Sequence, residues 1–281
     1  MRILPKKYWK YFAIGVVFAW TLLIFAWGEL PEERMQLSFM DVGQGDAILI
    51  QTPEGHNVLV DGGPKSKVLE ELSDMLAFFN RQIDLMILTH PHADHLEGLV
   101  EVLKRYEVGA VLLTGVAYDN YYYDEFLRDL AVLQETDEID IYVARAEEDY
   151  RVGSVYFDVL YPIESLAGRR INNLNNSSIV MRVSGPWESR ILLSGDCEAE
   201  CENEILEAGF ELTSEIFKAG HHGSKTASSY EFVRAIEPDV AVIQCGEGNK
   251  FRHPHGETLR TFYRLGVHEI YRTDLDGRVE F

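Results

Sequence analysis

The sequence is most informative over Leu85-Met86-Ile87-Leu88-Thr89-His90-Pro91-His92-Ala93-Asp94-His95, where an apolar run leads directly into a cluster of histidines. The chain has nine histidines, and three of them fall within six consecutive positions of this stretch. The apolar run is typical of a buried strand, which puts the cluster on the loop at its end. Imidazole and carboxylate are ligands that Zn²⁺ and Mn²⁺ accept. We therefore predict a metal site on this loop, with ligands His90, His92, Asp94 and His95.

Two further clusters of ligand-type residues follow other predicted strands. Asp196 lies three residues after the apolar run 191–193, and the pair His221 and His222 follows the run 216–218. Alone, Asp196 is also typical of a helix N-cap, and a histidine pair is weak evidence of a metal site. Together with the first cluster, they predict a carboxylate that bridges two ions and one further imidazole ligand. The pattern leaves open which histidine of the pair is that ligand.

Short apolar runs alternate with amphipathic stretches from Met35 onward. This pattern favours two sheets packed together with helices outside. The predicted strands are 35–40, 47–51, 58–60, 85–89, 109–113, 139–144, 155–160, 179–183, 191–193, 216–218, 240–244 and 269–271. The predicted helices are 68–80, 96–106, 120–135, 197–208, 230–236 and 257–265.

The chain is strongly acidic, with a formal net charge of -20. This charge argues against a protein that grips long nucleic acid through its phosphates, which requires many Lys and Arg residues. Four cations nevertheless flank the motifs: Lys218, Lys225, Lys250 and Arg252. Each one alone is typical of solvated surface, but together they predict a local anion-binding rim.

The N-terminus differs from the rest, since residues 11–28 contain no charged side chain. A run of this length can cross a bilayer as a helix. Lys6, Lys7 and Lys10 precede it, which predicts a cytoplasmic N-terminus and an extracytoplasmic remainder. A cleaved signal peptide is the rival interpretation. The predicted division is a cytoplasmic basic segment 1–10, a transmembrane anchor 11–28, a linker 29–35 and a hydrolase domain 36–281.

Three cysteines are present, which is no disulfide framework. Cys197 and Cys201 are four residues apart and would be neighbours on a helix. We predict that they are buried or half-buried thiols.

Taken in order, the motifs resemble those of the metallo-β-lactamase superfamily and, within it, the extracytoplasmic hydrolase domain of ComEC-type competence (DNA-uptake) proteins. The resemblance covers residues 36–281 and implies an α+β fold, a four-layer αββα sandwich, here preceded by one transmembrane helix. The motifs that carry it are Asp41-Val42-Gly43-Gln44-Gly45-Asp46-Ala47, Val60-Asp61-Gly62-Gly63, His90 to His95, Asn175 to Val180, Ser194-Gly195-Asp196, His221-His222-Gly223-Ser224 and His253-Pro254-His255.

The resemblance also implies roles for individual residues around two divalent metal ions. His90 and His92 would bind the first ion, and Asp196 would bridge. The second ion would be bound by Asp94, His95 and either His221 or His222. Asp94, Asp196 and His222 are the predicted catalytic residues. Residues expected to contact substrate or to support the ligands are Asp46, Asp61, Asn175, Ser178, Ser224, Lys225, His253 and His255.

One departure concerns the first metal ion. Many members of the superfamily supply another histidine ligand where this chain has Asn175-Asn176-Ser177-Ser178. No histidine lies between His95 and His221. An Asn or Ser oxygen would be a weaker third ligand, which makes Mn²⁺ a candidate beside Zn²⁺.

These observations predict hydrolysis by a metal-activated water, since neither a serine nucleophile elbow nor a phosphate-binding P-loop is visible. The expected activity is that of a membrane-anchored phosphodiesterase or nuclease. Single-stranded DNA and a cell-envelope phosphodiester are the candidate substrates. The multi-helix channel of competence proteins is missing, so a separately encoded channel is a candidate partner. The alternatives are a non-catalytic, membrane-tethered binding module and an ester or lactam hydrolase of the same fold.

Overall fold

The computed structural model of the chain describes residues 8–28, 34–77, 79–186 and 189–281, and for 22–28 it describes the backbone alone. Two seven-stranded sheets account for the strands of the described residues. In spatial order, the first sheet contains β14 (Val279–Glu280), β1 (Gln36–Phe39), β2 (Ile48–Gln51), β3 (Asn57–Val60), β4 (Gln82–Leu88), β5 (Glu107–Leu113) and β6 (Asp140–Val143). The second contains β13 (Glu269–Arg272), β12 (Val240–Ile243), β11 (Ile216–Lys218), β10 (Arg190–Leu193), β9 (Val180–Ser184), β8 (Val155–Tyr161) and β7 (Tyr150–Val152).

Three apolar layers hold the sheets and helices together. In β2, Ile48 and Ile50 point into the layer between the two sheets, whereas Leu49 points to the layer under the helices. Helices α2 (Lys67–Met75), α3 (Ala93–Leu103) and α4 (Tyr121–Glu135) cover the first sheet. Helices α5 (Ala199–Ala208), α6 (Tyr230–Ile236) and α7 (Gly256–Arg264) cover the second. The predicted four-layer αββα sandwich is therefore confirmed.

The topology gathers the predicted site at one edge of the sandwich. Strands β3 to β6 run parallel to one another in the first sheet, and β10 to β13 do so in the second. Loops from the carboxyl ends of β3, β4, β10, β11 and β12 therefore carry the motif residues into one region. In open α/β sheets, ligands bind outside these strand ends.

Several element bounds differ from the sequence predictions. Helix α3 begins at Ala93 rather than at 96, so Asp94 and His95 lie in its first turn. An acidic residue in the first turn is favourable beside the helix amino terminus. Two short strands, β7 and β14, and the short helix α8 (Thr273–Asp276) were not predicted. They carry too few residues for a periodic pattern to be visible.

Helix α1 comprises Trp9–Gly28. Where side chains are described, the structure contains no helix with the length and apolar character needed to span a bilayer. This finding gives no support to the predicted anchor at 11–28, part of which, 22–28, lies outside the residues with described side chains. Most of the predicted basic segment, 1–7, and most of the predicted linker, 29–33, also lie outside the described residues.

Candidate metal centre

The histidine loop is held in place by one buried carboxylate. Asp61, at the end of β3, accepts hydrogen bonds from the Thr89 backbone N–H at 2.8 Å and from its hydroxyl at 2.7 Å. Its Oδ2 also lies 2.7 Å from His95 Nδ1. Such a contact fixes the ring and leaves Nε2 to face a metal. The structure therefore places Asp61 behind the ligand loop.

His90 and His92 form one side of the centre, which we call the first metal position. Nε2 of His90 lies 2.9 Å from Nδ1 of His92 and 3.8 Å from Oδ2 of Asp196. Burial lowers the pKa of both rings, and the positive charge of His95 lowers it further. Neutral imidazoles offer the lone pairs that a metal ligand needs.

The second metal position consists of Asp94, His95 and His222. Nε2 of His95 and Nε2 of His222 each lie 3.4 Å from Oδ2 of Asp196, and Nε2 of His222 lies 3.4 Å from Oδ2 of Asp94. Among the described residues, both Nε2 atoms and Asp196 Oδ1 are buried and have no hydrogen-bond partner. Leaving such groups unpaired is costly. An ion shared by these atoms would satisfy them, so the residues fit a metal.

The electrostatics of the second position differ from those of the first. Burial opposes a charge on His222, but Asp196 and Asp46 outweigh it and raise the pKa of His222 to about 10. Burial also opposes a charge on His95, whose pKa is nevertheless raised well above its usual value by Asp196 and Asp61. The pKa of Asp196 is lowered despite burial, chiefly because of His222 and His95. In the metal-free chain, the protonated rings of His95 and His222 are therefore attracted to the Asp196 carboxylate, and a bound metal ion would replace these protons.

Asp46 supports the second position from behind. Its Oδ1 lies 3.1 Å from His222 Nδ1, which also lies 3.0 Å from the carbonyl oxygen of Gln244. Asp46, His95, Asp196 and His222 offer ligand atoms within 4.8 Å of one another and can hold an ion. Because Asp46 faces the Nδ1 side of both rings, we assign it to bracing rather than to the ion contacted by the Nε2 atoms. A Cβ at Gly45 would overlap the Asp94 carbonyl oxygen, so glycine allows this close approach.

The prediction for Lys218 is wrong. Lys218 was expected in a surface rim, but it is fully buried, forms an ion pair with Asp46 and donates to the Gly195 carbonyl oxygen at 3.0 Å. Strand β11 has parallel neighbours on both sides and all three of its residues are buried, which places this side chain inside. The Asp46 carboxylate offsets the cost of burying the ammonium group. The exposed cations of the predicted rim are Lys225, Lys250 and Arg252, which we call the cationic rim.

The structure separates the two histidines of the pair. Both have left-handed backbones, with φ of 48° for His221 and 55° for His222. This uncommon conformation of the turn Gly220–Gly223 turns His222 inward to the metal position and leaves His221 partly exposed at the mouth. Nδ1 of His221 lies 2.8 Å from Oε1 of Glu198, and its Nε2 lies 3.9 Å from Oδ2 of Asp196. The geometry assigns the ligand role to His222.

The loop with Asn175 and Ser178 borders the first metal position. Oγ of Ser178 accepts from the Asp196 backbone N–H at 3.0 Å and lies 3.3 Å from Nδ1 of His90. Ser178 therefore supports these residues from the side opposite His90 Nε2. Asn175 donates to Glu198 at 3.1 Å, and its Oδ1 is buried without a partner among the described residues. The sequence analysis predicted an Asn or Ser oxygen as a third metal ligand. Among the described residues, Oγ of Ser178 is already hydrogen-bonded, whereas Oδ1 of Asn175 remains available to a metal ion.

Ser224, Lys225, His253 and His255 also lie beside the histidine pair. The Lys225 backbone N–H donates to Nδ1 of His255 at 3.1 Å, and Ser224 Oγ lies 2.9 Å from Thr226 Oγ1. The His253 ring is stacked on that of His222, with centroids 6.3 Å apart and an interplanar angle of 29°. The structure therefore brings all the predicted supporting residues to the centre or its rim.

Glu198 is the residue that sequence reasoning missed. It accepts from Asn173 at 2.7 Å and from Thr226 at 2.8 Å, in addition to its contacts with Asn175 and His221. The only sequence signal is its position two residues after Asp196. Glu198 joins the asparagine loop to the histidine turn and orients His221.

The prediction of free thiols at Cys197 and Cys201 is also wrong, because the two form a disulfide. The first turn of α5 brings their Cα atoms to 5.6 Å, within reach of a disulfide. The bond joins the residue after Asp196 to the helix that follows. The remaining cysteine, Cys245, is buried and free.

Comparisons with known proteins agree with this geometry. The Metallo-beta-lactamase superfamily matches residues 40–247. The chain is 27% identical to ComE operon protein 3 of Bacillus subtilis, over 95% of this chain and 35% of that protein. It is also 27% identical to Competence protein ComA of Neisseria gonorrhoeae, over 90% of this chain and 33% of that protein. The chain thus spans about a third of the length of these relatives.

A solved structure with the same fold is the metallo-beta-lactamase fold protein YhfI from Bacillus subtilis. It superposes with a TM-score of 0.57 at 11% identity, over 88% of this chain and 100% of that one. The fold, the clustered ligand atoms and the matched residues agree, and the chain belongs to the Metallo-beta-lactamase superfamily.

Proposed function

We propose that this protein is a metal-dependent phosphodiesterase whose catalytic domain lies outside the cytoplasmic membrane. The observation that carries the proposal is the arrangement around Asp196. Imidazole nitrogens of His90, His95 and His222 lie within 3.8 Å of one of its oxygens, in a buried setting. The superfamily fold and the clustered ligands support a metal-dependent hydrolase, and we further propose that its substrate is a phosphodiester.

The donor set suits two divalent ions, for which Zn²⁺ and Mn²⁺ are our candidates. His90 and His92 would hold the first ion, Asp94, His95 and His222 the second, and Asp196 would bridge. Such ions lower the pKa of a bound water and polarise a phosphoryl oxygen. His221, held by Glu198 at the mouth of the centre, points Nε2 toward Asp196 and is positioned to donate a hydrogen bond to a substrate oxygen.

Two observations support a phosphodiester as substrate. The relatives named above include a competence protein, and the cationic rim places positive side chains beside an otherwise acidic chain. Because long duplexes require many phosphate contacts, the net charge of -20 favours single-stranded DNA or a cell-envelope phosphodiester.

The location is proposed from the N-terminus and the disulfide. Residues 11–28 carry no charge and follow three lysines, and Trp9, Phe12 and Phe18 on this helix are each more than half exposed. Disulfides persist in oxidising compartments, which suits Cys197–Cys201 outside the cytoplasm. We propose a single-pass anchor with the domain outside, and a separately encoded channel as the partner.

The activity is tested on the full chain in detergent. The protein is stripped with a chelator, reloaded with Mn²⁺ or Zn²⁺, and assayed on bis(p-nitrophenyl) phosphate, single-stranded DNA and a β-lactam reporter. We expect turnover of the two phosphodiesters that is lost in His92→Ala and Asp196→Ala. Metal binding without turnover of any substrate would instead indicate a binding module, and turnover of the β-lactam alone would indicate a lactam hydrolase.

The location has its own test. A reporter that is active only outside the cytoplasm is fused after Phe281, and a cytoplasm-active reporter serves as the control. We expect activity from the first reporter alone. Activity of the cytoplasmic reporter would contradict the proposed orientation.

A further inference from the structure

Phe251 is an exposed aromatic residue on a firmly held loop after β12. Its side chain is 48% exposed. Asn249 closes the loop from inside, donating from Nδ2 to the carbonyl oxygens of Gly246 at 3.0 Å and His253 at 2.7 Å. Oδ1 of Asn249 accepts from the His253 backbone N–H at 2.9 Å. The ring is therefore presented to solvent by a loop with fixed geometry.

The Phe251 ring continues a stack of rings that starts at the metal centre. Phe251 lies on His253 with centroids 5.6 Å apart and an interplanar angle of 24°. His253 in turn stacks on His222. Single exposed hydrophobic residues are normal on protein surfaces. What distinguishes Phe251 is that its ring is nearly parallel to a row that ends at a proposed ligand.

Two cations flank this ring in the sequence, whereas a neighbouring cavity is lined mainly by acidic residues. Nζ of Lys250 lies over the Phe251 ring, 4.9 Å from its centroid, on a flexible side chain that a stacked base can displace toward a phosphate, and Arg252 is the next residue. In the described part of the chain, neither cation makes an ion pair, and Glu247 is the one acidic residue on the loop 246–254. By contrast, the neighbouring cavity of about 700 Å³ is lined by Glu164, Glu200, Glu204 and Glu207 against Arg169 and Arg170. A polyanion therefore meets stronger attraction beside Phe251 than at this cavity.

We propose that Phe251 is a stacking platform for one base of a single-stranded polynucleotide whose scissile phosphate lies at the metal centre. Lys250 and Arg252 contact the phosphates that flank this base. Aromatic platforms beside cations are the common means of holding single strands, because every base has a π-face. The inference rests on the proposed phosphodiesterase function and favours single-stranded DNA or RNA over an envelope phosphodiester that lacks bases.

The test compares two ligands of equal length and charge. The metal-loaded full chain in detergent is titrated with fluorescent ten-nucleotide phosphorothioate strands, one of thymidines and one abasic, because phosphorothioates resist hydrolysis. Because Phe251→Ala removes the face on which a base stacks, we expect it to weaken binding of the thymidine strand about tenfold. The abasic strand should bind Phe251→Ala and the unaltered protein equally, and Phe251→Trp should retain tight thymidine binding.

Two controls separate stacking from other effects. Tyr263, another exposed aromatic residue, lies near the far end of α7, about 10 Å from the start of that helix. Tyr263→Ala should leave both affinities unchanged. The double variant Lys250→Ala/Arg252→Ala should weaken both strands alike and reduce the salt dependence of binding.

The outcomes distinguish this inference from the proposed function. Equal weakening of both strands by Phe251→Ala, or none, would overturn the stacking platform even if bis(p-nitrophenyl) phosphate is hydrolysed. A Phe251-dependent preference for the thymidine strand would support the platform even if no phosphodiester is turned over, in which case the proposed activity alone fails. A change in sedimentation of the free protein caused by Phe251→Ala would show that this ring is a protein contact, and would also overturn the inference.

Discussion

The two metal positions share Asp196 but are supported by opposite means. In the first, burial and nearby positive charge lower the pKa of His90 and His92. In the second, carboxylates raise the pKa of His95 and His222 in spite of burial. His90 and His92 are therefore already neutral and can bind an ion directly, whereas His95 and His222 must release protons before an ion binds.

The supports behind the rings differ as well. Asp61 braces His95 and Asp46 braces His222, while the partners behind His90, among the residues that the structure describes, are the hydroxyls of Thr89 and Ser178. A carboxylate behind an imidazole fixes the ring and raises its basicity, so removing the carboxylate lowers the affinity of the site for a metal ion. We infer that the second position is the tighter and more strongly pH-dependent of the two.

Asp196→Asn tests the carboxylate that the two metal positions share, and it has the largest expected effect on turnover. The substitution keeps the shape of the side chain but removes the charge that both positions use. Metal ions stabilise a transition state by several kcal/mol, so we expect turnover to fall on the order of a thousandfold. Turnover is measured with saturating Mn²⁺, and a loss of less than tenfold would contradict the bridging role.

Asp61→Asn tests the support of the second position. Asp61 has a φ of 57°, a conformation that Asn tolerates, so the backbone should be kept. Loss of the brace on His95 should lower the affinity for the second ion by roughly 10–100-fold. The matched control is Asp158→Asn, which removes a carboxylate paired with Arg182 at 2.9 Å on β8. Equal metal affinity in the two variants would show that Asp61 supports the fold alone.

The pH dependence of metal affinity tests the difference in protonation. Because the pKa of His222 is about 10 in the metal-free chain, an ion must displace a proton at neutral pH. Release of the His222 proton alone should raise the affinity for the second ion about tenfold per pH unit from pH 7 to 9, and release of the His95 proton would make the rise steeper. The first ion should show little dependence there, since His90 and His92 are already neutral. Chelator competition at several pH values measures both affinities. Equal slopes of log affinity against pH for the two ions would contradict the difference in protonation.

The same shift predicts the stability of the metal-free chain. A histidine with a raised pKa stabilises the fold fully below its unfolded-state value of about 6.5 and loses this contribution as the pH passes about 10. The thermal midpoint of the chelated protein should therefore fall between pH 7 and 10. The protein reloaded with Zn²⁺ should lose less, and identical profiles would contradict the assigned protonation.

The sequence predicted the layers and the ligand loop for a simple reason. Strand β4 is a continuous apolar run, and the ligand types that follow it have few other uses at that spacing. The burial of Lys218 could not be predicted in this way, because a charged residue after two apolar ones normally ends a strand at the surface. Its burial depends on Asp46, which lies far away in sequence. The choice of His222 over His221 likewise depends on two left-handed backbones, for which the sequence carries no signal.

Asn175→His has the smallest expected effect and tests whether a further ligand strengthens the first metal position. Oδ1 of Asn175 is buried without a partner among the described residues, on the loop that borders His90. A third imidazole would complete the three-histidine set that zinc sites commonly use. We expect about two Zn²⁺ ions per chain after dialysis where the unaltered protein keeps about one. Asn173→His, on the same loop but bonded to Glu198, is the matched control. Equal zinc content in both variants would show that the first position is not limited by its missing ligand.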